Sequence, residues 1–327
     1  MKIGFTSTIP VEILFASGNI PLDLNNIFIS QKNPNKYIDF AELEGLPRTY
    51  CCWIKGIYSA VKKHKMKKVV SVFQGDCTNS KGLCELLGYE GVEIIPFCYP
   101  IDRNKKSMEQ EIEKLMKVFK VSWIKLCQTA RDMQAVREKI YKMDNDRNIS
   151  SFDSHYFQVA STDFEGDYKK FEKKLDVGIN KKRQVDDYRV ELGFIGVPSI
   201  VSDIFQFIDS SGARIVLHES ARQFTFPYLK SKKITKTNFK DIYIKQFLEY
   251  TYPYEIGFRL RDIENQIKKR NIRGIIHYVQ SFCYKALDDV LIRKKLDVPV
   301  LTLEEDRPGK LSRRAKTRIE AFVNMLR

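Results

Sequence analysis

Short runs of aliphatic and β-branched residues alternate along this chain with longer stretches whose apolar residues recur at helical spacing. This alternation restricts the fold more than any other feature. Met1–Thr6, Asn19–Leu24, Lys68–Phe73 and Val92–Phe97 read as strands, and Pro10–Ala16, the acidic stretch from Pro34, the segment opening at Cys51-Cys52 and the stretch from Gly75-Asp76 to Leu87 read as helical. Gly45-Leu46-Pro47 breaks the second of these. Charged helical sequence follows from about Lys105 to Met143, and the periodicity fades over Asp167–Gln184, which reads as a linker or an exposed helix.

The pattern then restarts. Val190–Ile195, Arg214–Leu217, Gly274–Val279 and Val298–Leu303 read as strands, and Pro198–Ile208, Tyr254–Lys269, Tyr284–Lys294 and Ser312–Leu326 as helices. Strands that alternate with helices in this way form mainly parallel sheets covered on both faces. The expected fold is therefore α/β, with two Rossmann-like or flavodoxin-like domains, residues 1–170 and 171–327, and a site between them. No repeat of 20 to 50 residues relates the two halves in sequence.

Composition narrows the function classes. No run reaches the ~20 apolar residues that span a bilayer, and the start of the chain lacks a basic-then-apolar signal, so a cytoplasmic protein without a membrane partner is expected. Seven cysteines in 327 residues are too few and too odd a number for a disulfide scaffold, which leaves core packing, metal ligation or nucleophilic roles. The net charge of +15 would suit a metal-free nucleic-acid-binding protein. Its basic residues, however, are scattered or sit in short runs such as Lys62-Lys63-His64-Lys65 and Lys181-Lys182-Arg183, which more often belong to solvated faces. Phosphate-binding, dinucleotide, zincin and hydrolase motifs are all absent.

Three cysteines fall where open α/β sheets build their sites. Cys77 and Cys283 each follow a strand and precede a helix, and Cys51 opens a helix, with Cys52 able to take its place. A helix start favours a thiolate and offers N–H donors to sulfur. Cys84 and Cys127 lie within helices and Cys98 at a strand end, and all three read as core. His64, His155, His218 and His277 are scattered, and the last two read as core or edge residues of strands.

The opening Gly4-Phe5-Thr6-Ser7-Thr8-Ile9-Pro10, the segment Cys51-Cys52-Trp53-Ile54-Lys55-Gly56, Gly75-Asp76-Cys77-Thr78, and a block from Gly274 through Phe282-Cys283 to Leu326 together resemble the 2-hydroxyacyl-CoA dehydratase D-component and benzoyl-CoA reductase superfamily. The resemblance covers most of the chain in the family's order. It implies that Cys51, Cys77 and Cys283 bind a low-potential [4Fe–4S] cluster with an open iron site, whereas a double-cubane cluster would need more converging cysteines. It also implies electrons from an ATP-dependent iron–sulfur activator, reduction or dehydration of a small-molecule substrate such as an acyl-CoA, and a homodimer or a heterodimer with a paralogue. A non-catalytic electron-transfer or assembly protein is the alternative within the same resemblance. The chain departs from the family at His218-Glu219-Ser220-Ala221-Arg222-Gln223-Phe224 and around Leu311-Ser312-Arg313-Arg314. Glu219, Arg222 and Gln223 are the candidate substrate-pocket residues, with an ion pair the other reading of the two charged ones.

Overall fold

A computed structural model describes residues 1–180, 189–225 and 234–327. Eight strands form two sheets of four, every pairing parallel: β1 (Lys2–Phe5), β2 (Ile20–Asp23), β3 (Lys68–Gln74) and β4 (Glu93–Cys98) in the order β2-β1-β3-β4, and β5 (Val190–Gly196), β6 (Ala213–His218), β7 (Gly274–Gln280) and β8 (Val300–Glu305) in the order β6-β5-β7-β8. The fold is α/β, as the alternation implies. The two sheets also share one topology, a likeness that no sequence repeat betrays. In each, the chain turns to one side after its first strand and to the other for its third, so a topological switch point lies between β1 and β3 and another between β5 and β7.

The central strands β5 and β7 are buried along their whole length, as expected for parallel strands covered on both faces. Gly196 ends β5 at φ +104°, and a Cβ there would lie 2.1 Å from the Tyr278 carbonyl oxygen, so the close approach of β5 to β7 requires glycine. In the first half, helix Cys52–Lys63 lies against helix Leu24–Ile29. A Cβ on Gly56 would stand 2.3 Å from the Phe28 ring, so this glycine sets how closely the helix that begins at Cys51 can dock.

The packing crosses the midpoint of the chain. Helix Ser151–Ala160 leaves the first half to pack on β6, while helix Phe239–Glu249 returns to pack on helix Lys105–Phe119. The largest core cluster draws on both halves, from Phe28 and Ile54 to Tyr278 and Phe322.

Several local readings of the sequence are corrected. The segment Pro198–Ile208 is helical only from Ile204, in Ile204–Ser210, because Val201 pairs with Gly309 and the Ser202 N–H bonds the Gly309 carbonyl at 2.9 Å, which holds the preceding residues extended. Tyr284–Lys294 divides into a 3₁₀ turn, Tyr284–Leu287, and an α-helix, Asp288–Lys295. The long stretch Lys105–Met143 is three helices, the first ended by Lys120 at φ +54°. Within Asp167–Gln184 a helix, Tyr168–Asn180, buries Phe171 and Leu175. Positions 181–184, with the Lys181-Lys182-Arg183 run, lie outside the described residues. Strand β8 starts two residues later than Val298.

Candidate active site between the two sheets

The first strand of each sheet ends in small or polar residues, Thr6-Ser7-Thr8 after β1 and Val197-Pro198 after β5, and the third in a cysteine segment, Asp76-Cys77 after β3 and Cys283 after β7. All of these residues line one cavity of about 130 Å³. The two switch points therefore face a common space, where open α/β folds place ligands. Cys51, from the connection between β2 and β3, lines it too.

Each of the three thiols stands at the start of a helix. Cys51 occupies the cap position before Cys52–Lys63 without a side-chain capping hydrogen bond, and the Ile54 and Trp53 N–H groups only moderate the rise of its thiol. Cys77 caps Thr78–Tyr89, its Sγ accepting the Ser80 N–H at 3.3 Å. Cys283 occupies the cap position before the 3₁₀ turn without a side-chain capping hydrogen bond, and the Lys285 N–H only moderates the rise of its thiol. The residue before it, Phe282, adopts φ +63° and is exposed, so the backbone is strained where the third thiol enters.

The electrostatics are those of crowded, desolvated acids. Burial pushes the Cys51 thiol up to about 11, and burial followed by the Asp76 charge pushes Cys77 up to about 12. Cys283 is raised, burial again the main cause. Asp76, whose Oδ1 accepts the Cys77 N–H at 2.7 Å, is itself raised to about 6 by burial. Such thiols become thiolates only when a cation joins them. Among the described residues no three His, Cys, Asp or Glu side chains form a site for a single metal ion. The three thiols line one cavity, and thiolates spaced around a volume suit a cluster better than one ion.

A second cavity, of about 900 Å³, shares Asn26, Trp53, Val159 and Pro198 with the first. Its walls include Ile27, Phe152, His155 and Phe205, and Lys32 and Lys310 are its cationic residues. Residues from both halves thus enclose a space that could hold a small molecule against the thiol cavity.

The other residues singled out in the sequence lie elsewhere. Cys52 turns away and donates its Sγ–H to Gln280 Oε1 at 3.2 Å. Cys84 bonds Ser71 Oγ at 2.7 Å, and Cys127 is buried. Cys98, read as core, is only half-buried, because it ends an edge strand. Glu219 is fully buried in a two-bond pair with Arg259, 2.9 Å for each bond, and Arg259 also bonds Asp288 at 2.7 Å. Arg222 pairs with Asp262, and Gln223 exchanges hydrogen bonds with Thr251. None of Glu219, Arg222 or Gln223 lines either cavity. They brace it from behind: Glu219 accepts the Gly196 N–H at 3.3 Å, and Thr251 lies between the wall residues Tyr250 and Tyr252. His218 and His277 are buried, and His155 Nδ1 meets His218 Nδ1 at 3.3 Å. The sequence reading missed Trp53, Tyr250, Tyr252 and Asp23 as wall residues. Asp23 carried a signal, as a polar residue at a strand end, and Trp53 stood in the Cys51–Gly56 segment that carries the family resemblance.

The sequence profile of the 2-hydroxyglutaryl-CoA dehydratase D-component matches residues 6–326, nearly the whole chain. The chain belongs to the 2-hydroxyglutaryl-CoA dehydratase D-component family. No curated protein matches the sequence. The family match makes a dehydratase-like protein of the chain, and this family depends on iron–sulfur chemistry and is generally paired with an ATP-dependent activator. Among the described residues no helix is long and apolar enough to cross a membrane.

Proposed function

We propose that this chain is a cytoplasmic iron–sulfur enzyme of the 2-hydroxyacyl-CoA dehydratase type, in which Cys51, Cys77 and Cys283 hold one [4Fe–4S] cluster and a small molecule in the larger cavity is reduced or dehydrated. One observation carries the reading. Three thiols from separate segments, each at the residue before a helix or a 3₁₀ turn, line a single cavity onto which both sheets direct their switch points. Bound there, the cluster would supply low-potential one-electron chemistry, fed by an ATP-hydrolysing iron–sulfur activator.

The chain's own residues do the rest. The Ser80 N–H, 3.3 Å from the Cys77 sulfur, offsets the charge of that sulfur, and the Ile54 and Lys285 N–H groups lower the Cys51 and Cys283 thiols in the same direction. Tyr250, Tyr252, Tyr284 and Phe224 give the thiol cavity an aromatic wall. The larger cavity orients the substrate, an acyl-CoA or another small molecule, and favours an enzyme over a bare electron carrier. A division into residues 1–170 and 171–327, each half carrying one sheet, and pairing with a second copy or a paralogue complete the proposal.

Anaerobic purification or reconstitution, with iron and sulfide quantitation, tests it. About four irons and four sulfides per chain, with broad absorption near ~400 nm, are expected. A chain that remains iron-free after reconstitution, its thiols open to alkylation, would sink the reading.

A further inference from the structure

The wall between the two cavities holds a pair of carboxyl groups that the cysteine site does not use. Asp23 ends β2 and lines the smaller cavity, while Asp163 opens the 3₁₀ turn Phe164–Gly166 and lines the larger. Asp163 Oδ2 accepts the Asp23 N–H at 2.8 Å, and Asp163 Oδ1 accepts the Glu165 N–H at 3.0 Å and Asn26 Nδ2 at 3.5 Å. Asp23 Oδ1 accepts the backbone and side-chain N–H groups of Asn25, each at 2.9 Å. Each aspartate is 4% exposed, and among the described residues neither has a cationic partner.

Two buried carboxylates side by side without a cation are costly, and the cost falls when one keeps a proton. A capping role accounts for either residue alone but not for their adjacency in a wall shared by two cavities. A second, independent feature sits in the same wall. Trp53 lines both cavities, and its indole Nε1 is buried with no acceptor. A molecule lying across the two cavities and bearing a carbonyl or hydroxyl oxygen would satisfy that donor and bring its oxygen to the carboxyl pair.

We propose that Asp163, positioned by Asp23, exchanges a proton with an oxygen-bearing small molecule bound across the two cavities. The inference rests on the function proposed above, which supplies the electron. As the bound oxygen gains negative charge, the Asp163 O–H bond breaks and a new O–H bond forms on the ligand. Asp163 remains as a carboxylate held by the N–H groups of Asp23 and Glu165, and a proton returns to it from solvent through the larger cavity. Burial and then the Asp23 charge push Asp163 up to about 7, so at neutral pH it can give or take the proton. The titratable neighbours are few. Asp23, raised by its own burial, faces it from β2, and the Asp23 charge in turn adds to the rise of Asp76 at the end of β3. Glu165 is occupied by Lys174 and Tyr156, and helix Ser151–Ala160 brings His155 and Tyr156 to the larger cavity.

Two measurements decide it. In the metal-free chain, carbon-13 NMR of labelled aspartate carboxyls should show one group titrating near 7. That group should be missing in Asp163→Asn and should titrate at least about one pH unit lower in Asp23→Asn, where the repelling charge is gone. An Asp163 fully ionised at pH 5 in the wild-type chain overturns the proposal without needing either variant to fold. In the cluster-loaded chain, the midpoint potential should fall as pH rises from 6 to 8.5, and Asp163→Asn should flatten that slope. A slope identical in the two proteins overturns it. Failure to load a cluster refutes the proposed function instead, and the NMR titration still reads the proton on Asp163.

Discussion

At the scale of single residues, the decisive contrast is between neighbours. Cys51 and Cys52 are adjacent in sequence, yet the helix start turns one sulfur toward the cavity and the other to Gln280. Cys51→Ser, Cys77→Ser and Cys283→Ser should each lose most of the bound iron and the ~400 nm absorption, whereas Cys52→Ser should retain both; iron analysis on the four variants checks this. If Cys52→Ser proved the damaging change, the register of the helix start would be wrong. The sequence left this choice open, because a rotation of one residue about a helix start leaves no trace in composition. It did show that a helix begins at the two adjacent cysteines, since the helical period starts at that point. Gly196 is a second residue with a definite cost. Its positive φ and the 2.1 Å approach of any Cβ to Tyr278 mean that Gly196→Ala should destabilise the fold by roughly 2 kcal/mol or more, read from the denaturant midpoint.

At the scale of elements, the buried network of Glu219, Arg259 and Asp288 ties the end of β6 to helices Ile256–Arg270 and Asp288–Lys295. Burial alone would raise the Glu219 carboxyl, but the Arg259 charge and hydrogen bonds outweigh it and hold the group below its usual value. A carboxyl lowered in the folded state adds stability above its unfolded value of about 4.3 and loses it as pH falls through the folded value. Glu219→Gln should therefore cost roughly 3 to 5 kcal/mol at pH 7, because it strands a buried arginine, and should show less further loss than wild type below pH ~4. Urea melts at pH 7 and pH 4 compare the two. The sequence offered Glu219 as a pocket residue or an ion-pair member, and nothing local could choose, because its partner lies forty residues away on another helix. The strands were readable where β-branched runs are compact, as in β3 and β7. Helices Leu24–Ile29, Ser151–Ala160 and Phe239–Glu249 were not, being short or rich in polar and aromatic residues that carry little helical period.

At the scale of the molecule, the exchange of helices between the halves makes the two sheets depend on each other. Helix Phe239–Glu249 brings Phe239, Tyr243 and Phe247, all almost fully buried, onto the face formed by helices Lys105–Phe119 and Trp123–Asp132, where Ile112, Leu115 and Leu126 wait for cover. In return, helix Ser151–Ala160 packs against β6 and helix Ile204–Ser210. Removing three large aromatic side chains from one face forfeits on the order of 1.5 to 3 kcal/mol for each, comparable with much of a domain's net stability. A fragment spanning residues 1–180 should therefore lack a cooperative unfolding transition and bind a hydrophobic dye, although it contains an entire sheet, while the full chain should unfold in one step seen alike by circular dichroism and tryptophan fluorescence. A fragment that melted cooperatively would mean that the helix exchange adds little. The cavity between the sheets would then be a junction of independent bodies, free to open and close, and the spacing of Cys283 from Cys51 and Cys77 would vary with that motion instead of being set by the fold.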